Sequence, residues 1–215
     1  MTQRLRWNAL VSVVVAATLA AGACGDSQPT APADPPDTLP EGQLTFLRQA
    51  NTAPPLMTYD TTFVATAGEA LDVEMFYAPL PGEDSGEKFL EFELEDGSLL
   101  RYPPNHPTSP GATFQPGDTV WIRITIDPEL LIASLEPSGL QFSTVDPAEL
   151  EIRYGEADDD YDDDGDPDPE LEGDIDLWRQ ESPGSDWQRV GDLKDVELDR
   201  VRALLTGFSR YGLGI

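Results

Sequence analysis

The residues whose types and spacing come closest to doing chemistry are the carboxylates of DYDDDGDPDPELE, Asp160 to Glu172. Asp160, Asp162 and Asp164 alternate and are followed by Gly165, the opening of a calcium loop of the D-x-D-x-D-G type. Calcium takes about six to eight hard oxygen ligands, and alternate acids turn their carboxylates towards one point as the chain curls. Gly165 falls where such a loop needs its sharp turn. Asp166 offers a backbone carbonyl, Asp168 a direct or water-bridged carboxylate, and Glu170, Glu172 or Asp174 a closing ligand. The twelfth position, where an EF-hand supplies a bidentate Glu, is Leu171, and Pro167 and Pro169 forbid the helix that would follow. The loop is therefore not an EF-hand, and two readings stay open: a calcium loop on a β scaffold, or a hydrated acidic hinge. Thirteen of the 41 acids lie between Glu156 and Asp176, and their mutual repulsion favours a cation.

Other chemistry is sparse. The single His106 sits among prolines in YPPNHP, the setting of a surface turn. Ser182, Ser185 and Ser209 lack the context of a nucleophile elbow. One Cys and one His cannot assemble a transition-metal site, and no glycine-rich phosphate loop occurs. With 41 acids, carboxylate pairs carry no information about glycosidase chemistry. Trp121 and Arg123 differ from these. If Ile122 and Ile124 point inward, Trp121 points outward and forms a binding platform with Arg123; the competing reading packs Trp121 under a loop or against the other sheet.

Cys24 is the only cysteine, so no disulfide framework exists. Residues 1–23 have Arg4 and Arg6 at the start, an apolar run from Ala9 to Leu19 and small residues before the cysteine, the layout of a secretory signal peptide and short for a membrane span. LAAGAC, Leu19 to Cys24, resembles the lipobox of bacterial lipoproteins, with Ala21 where Leu is more usual. The resemblance implies cleavage before Cys24 and acylation of its thiol, so that the lipid bilayer becomes a partner; multiple acyl chains hold stably where one does not. Gly25 occupies the place where an Asp would imply inner-membrane retention, which favours the outer membrane. Loss of residues 1–23 leaves 11 basic and 41 acidic residues, a formal charge of −30. Nucleic acid is excluded as a partner by that charge.

The elements that must position these groups are strands. Residues 24–42 are the modified cysteine and a Pro-rich tether. From Gln43 onward apolar residues alternate: Leu71, Val73, Met75 and Tyr77; Leu90, Phe92 and Leu94; Val120, Ile122, Ile124 and Ile126; Leu150, Ile152 and Tyr154; Ile175 and Leu177. Asp96-Gly97 predicts a tight hairpin between strands Phe89–Leu94 and Leu99–Tyr102. A closing strand is expected over Val201–Phe208, with Gly207, Gly212 and Gly214 opposing a helix there. The fold class is all-β, an immunoglobulin-like antiparallel sandwich of about nine strands, with residues 43–112 either opening strands or a small separate β unit.

Gly117-Asp118-Thr119-Val120 and its alternating Ile, Leu135 to Phe142 followed by Pro147, Leu150, Ile152 and Tyr154, and Trp187 before Phe208-Ser209-Arg210-Tyr211 occur in that order. The order resembles the β-sandwich domain of ankyrins and netrin receptors over about Phe114 to Ile215. It implies a sandwich and a broad role in assembly or interaction, without a spectrin-type partner; the acidic insertion departs from it. The combined expectation is a non-catalytic envelope lipoprotein that offers an acidic, calcium-stabilised sandwich to an envelope protein or glycan. An envelope hydrolase or its accessory domain, and a purely structural spacer, are the alternatives.

Overall fold

The computed structural model describes residues 37–161, 165–191 and 193–215. Cys24 and the lipobox, with Asp162 and Asp164 of the loop, lie outside them. Fourteen strands occur among the described residues: β1 (Thr38–Leu39), β2 (Asp60–Thr66), β3 (Leu71–Phe76), β4 (Lys88–Leu94), β5 (Leu99–Arg101), β6 (Thr119–Ile126), β7 (Ala133–Glu136), β8 (Gln141–Phe142), β9 (Ala148–Arg153), β10 (Asp176–Gln180), β11 (Trp187–Arg189), β12 (Leu193–Asp195), β13 (Arg200–Leu205) and β14 (Arg210–Gly214). A seven-stranded sheet runs β1-β11-β10-β14-β7-β6-β2, a five-stranded sheet runs β12-β13-β9-β4-β3, and β5 and β8 form a small third sheet. The fold is thus all-β, antiparallel and sandwich-like, but with more strands and a third sheet, not a nine-strand immunoglobulin-like sandwich.

The alternating pattern explains the layers. In β6, Val120, Ile122, Ile124 and Ile126 are buried while Trp121 and Arg123 are exposed. Leu90, Phe92 and Leu94 of β4, Leu150 and Ile152 of β9, and Val201, Ala203 and Leu205 of β13 supply the inner face of the other sheet. Phe92, Phe142 and Phe208 meet at its centre, with centroid separations of 5.0–6.3 Å. Each such fully buried side chain stabilises the fold by about 1.5–3 kcal/mol. Residues 43–112 contribute β2 to the larger sheet and β3 and β4 to the smaller one, so their strands pair with those of the later residues.

Two local expectations are corrected. The chain does turn at Asp96-Gly97, where the Ser98 amide donates to Glu95, but β4 is already flanked by β3 and β9. With both edges of β4 occupied, β5 leaves and pairs with β8. The closing strand expected over Val201–Phe208 is β13, ending at Leu205, and Gly212 and Gly214 belong to a further strand, β14. Glycine is needed in that strand because the chain near Thr45 crosses it: a Cβ on Gly214 would lie 2.5 Å from the Thr45 carbonyl oxygen.

A second, smaller core lies on the outer face of the larger sheet. Leu44 and Ile132 pack there with Trp178 and Trp187, and Phe46 meets Trp187 edge-on at 4.7 Å. The Trp178 indole N–H donates to the Gly214 carbonyl at 3.1 Å. That cover stops short of β6 and β2.

Candidate functional site

At the uncovered end of the larger sheet, register puts Val64 opposite Trp121 and Thr62 opposite Arg123, and β7 places Glu136 beside Arg123. Trp121 is 69% exposed, whereas Trp178 and Trp187 are each 2% exposed. Arg123 donates from Nε to Asp60 at 2.9 Å and from a terminal nitrogen to the second Asp60 oxygen, and stands 3.9 Å from Glu136. These bonds hold the Asp60 carboxyl below, and the Arg123 guanidinium above, their ordinary pKa ranges. Asp60, Arg123 and Glu136 together carry a net negative charge.

A groove of about 450 Å³ opens beside Trp121, with Asn105 and Ser138 on its loop side. Asn105 belongs to a loop closed by its own backbone: His106 and Gly111 both donate to the Pro103 carbonyl at 3.0 Å, and Tyr102 donates to Ala112 at 2.9 Å. His106 accepts the Ser109 amide at Nδ1 and its ring lies 4.5 Å from that of Tyr102, which in turn stacks on Phe114 at 3.7 Å. The one histidine therefore shapes this loop. Gly139, at φ +82°, carries the neighbouring turn past Pro104, whose Cδ would be 3.1 Å from an added Cβ.

The acidic loop is partly organised by its own acids. Asp160 accepts the Gly165 amide at 2.9 Å, and Asp168, only 8% exposed, accepts the Tyr161 amide at 3.1 Å. Gly165 has φ +101°, the left-handed turn its position calls for. Asp166 and Glu170 are exposed, while Glu172 opens a short 3-10 helix and accepts the Tyr154 hydroxyl at 3.4 Å. Glu172 lines a pocket of about 520 Å³ together with Tyr154, Tyr161, Asp158, Asp159 and Asp199. Burial, then the negative charge of Glu172, pushes the Tyr154 and Tyr161 hydroxyls up. Asp158 and Asp159 adjoin the sequence motif, but nothing in the sequence links Asp199 to it; strand pairing brings β13 alongside β9 and delivers it there.

Among the described residues, the carboxylates gathered closely enough to hold a metal ion lie elsewhere. Asp72, Glu74 and Glu91, on the outer face of β3 and β4, each place an oxygen within 4.8 Å of the others. A register shift between Met75 and Phe76 brings Lys88 onto the same face, and its ammonium reaches Glu74 at 2.5 Å and Glu91 at 2.9 Å. The cluster thus has a cation built in. Alternation of Glu91, Glu93, Glu149 and Glu151 marks these as outward positions, but their meeting depends on pairing between distant strands.

Comparisons with protein-family models, with curated proteins and with solved structures find no match to this chain. Among the described residues no helix is long and apolar enough to cross a membrane.

Proposed function

We propose that the chain is a lipid-anchored protein of a bacterial envelope, attached through acylated Cys24, whose acidic β-sandwich recognises a partner without catalysing a reaction on it. The observation that carries the recognition role is Trp121, a large indole left standing outward on a rigid sheet beside an ordered Arg123–Asp60 pair. Exposed aromatic residues on otherwise well-packed surfaces mark interaction sites. The resemblance of the later strands to the sandwiches of ankyrins and netrin receptors points in the same direction, towards assembly or interaction. The sequence from Leu19 to Cys24 supports the anchor, and the outer membrane is the assigned location because Gly25 follows the cysteine.

Calcium is assigned a stabilising role at the acidic loop, with Asp160, Asp162, Asp164, Asp166, Asp168, Glu170 and Glu172 as the ligand pool. The turn at Gly165 and the density of hard oxygen donors support it.

Metabolic labelling with radioactive palmitate tests the anchor. Label on the wild-type chain and none on Cys24→Ser is the expected result; equal labelling of both would overturn the lipid anchor. Calcium titration into chelator-treated protein tests the loop. One saturable site that raises the melting temperature, and that is lost when Asp162 and Asp164 are changed to Asn, is expected. An unchanged melting temperature leaves the loop as an acidic hinge.

A further inference from the structure

We infer that the groove beside Trp121 binds a neutral glycan, with one sugar ring stacked on the indole and its hydroxyls bonded by Arg123, Glu136 and Asn105. The inference rests on the reading of this face as the recognition surface and names the chemistry of the partner. A pyranose has apolar C–H faces and a rim of hydroxyls that both donate and accept. Its complement is a flat apolar ring beside fixed donors and acceptors, and that is what β6, β7 and the Asn105 loop bring together.

The alternatives fit less well. A protein partner would need an apolar interface core depleted of charge. Around Trp121 the only large apolar neighbour across the strand pair is Val64, and the next rung is Thr62, Arg123 and Glu136. An anionic ligand would meet a guanidinium already committed to Asp60 and flanked by Glu136, on a chain of formal charge −28. Bases also stack on indoles, but the phosphates of a nucleic acid fall to the same repulsion. Neutral hydroxyls avoid this repulsion, and charged groups locked in a pair still present directional donors and acceptors to them. The site is also ordered in advance. Arg123 is gripped by Asp60 through two bonds, and the Asn105 loop is fastened by its backbone bonds and by the stack of Tyr102 on Phe114. Little ordering is left for a ligand to impose, which favours binding by a small contact area.

The test uses the mature chain, which begins at Cys24 and so lacks Trp7, in a sugar-free detergent and follows tryptophan fluorescence. Acrylamide quenching comes first, comparing wild type with Trp121→Phe. A quenchable component present only in the wild type is expected. Its absence would mean that the face is closed, and would overturn both this inference and the recognition surface on which it rests. Cello-, malto-, manno- and chito-oligosaccharides are then titrated. At least one is expected to give a saturable shift with a Kd of about 10 µM to 1 mM, the range of a small stacked contact. The variants are titrated by calorimetry, because Trp121 is itself the fluorescent reporter. Trp121→Ala should weaken binding by about tenfold or more, and Glu136→Gln by less, with melting temperatures unchanged because both residues are exposed. A normal quenchable component with no saturation by any neutral sugar up to about 10 mM, a concentration at which even millimolar binding would show, overturns the glycan inference alone. So does binding that Trp121→Ala leaves intact, or binding confined to a polyanionic sugar such as heparin.

Discussion

Glu151 shows how a single side chain can depend on distant ones. It is 3% exposed, yet it accepts from Arg153 at 2.9 Å and Arg200 at 3.0 Å, and Arg202 lies 3.5 Å away. Removing it takes a shared acceptor from three guanidinium groups, of which Arg200 keeps Asp195 and Arg202 keeps Glu149. Glu151→Ala should therefore cost about 1–3 kcal/mol, read as a fall in the urea midpoint. A loss no larger than that of an exposed ion pair would show that water reaches these arginines freely. The opposite balance holds one strand away. Partial burial first, and then neighbouring carboxylates, raise the pKa values of Asp72 and Glu93, which face each other across β3 and β4. The folded state therefore holds their protons more tightly than the unfolded state does. In the window just above the ordinary carboxylate pKa, these two groups make stability fall as pH rises; below that window both states are protonated and they contribute nothing. Glu93→Gln should raise the melting temperature near pH 7 and give no gain near about pH 3, below the reference value. A gain that persists at the acid end would assign it to packing instead of charge.

At the scale of the element, β6 and β14 make a useful contrast. The spacing of Val120, Ile122, Ile124 and Ile126 predicts β6 directly, because a half-buried strand has a period of two, while the side Trp121 takes follows only once the isoleucines are known to face the core. In β14 the glycines conceal the strand. Gly214 is small because Thr45 passes over it, and that neighbour is remote in sequence. Gly214→Ala should destabilise by about 1–3 kcal/mol through overpacking against backbone, measured by thermal or chemical unfolding. A neutral result would mean that the 44–47 segment can move aside. The hairpin expected at Asp96-Gly97 fails for a related reason. Turn chemistry is local, but whether the next strand pairs with the last depends on which edges β3 and β9 have already taken.

For the whole molecule, charge is the dominant quantity. A formal charge of −28, concentrated around residues 156–176 and along the outer face of β3, β4 and β9, opposes compaction. Raising sodium chloride from about 10 mM to about 150 mM shortens the screening length from about 30 Å to about 8 Å, and the melting temperature should rise. A fall would show that the Arg-to-carboxylate pairs of β9 and β13 outweigh the general repulsion. The sequence by itself determined the class of fold, the alternation that sets Trp121 and Arg123 together on one face of their strand, and the place of the acidic loop, because each follows from period, turn chemistry or composition within a few residues. Only the tertiary structure decided that Trp178 and Trp187 are covered while Trp121 is bare, that Asn105 and Glu136 flank it, and that Asp199 joins the acidic pocket. Those outcomes depend on which strands pair and on what the 37–47 segment covers, and such long-range choices are set by packing the whole chain at once.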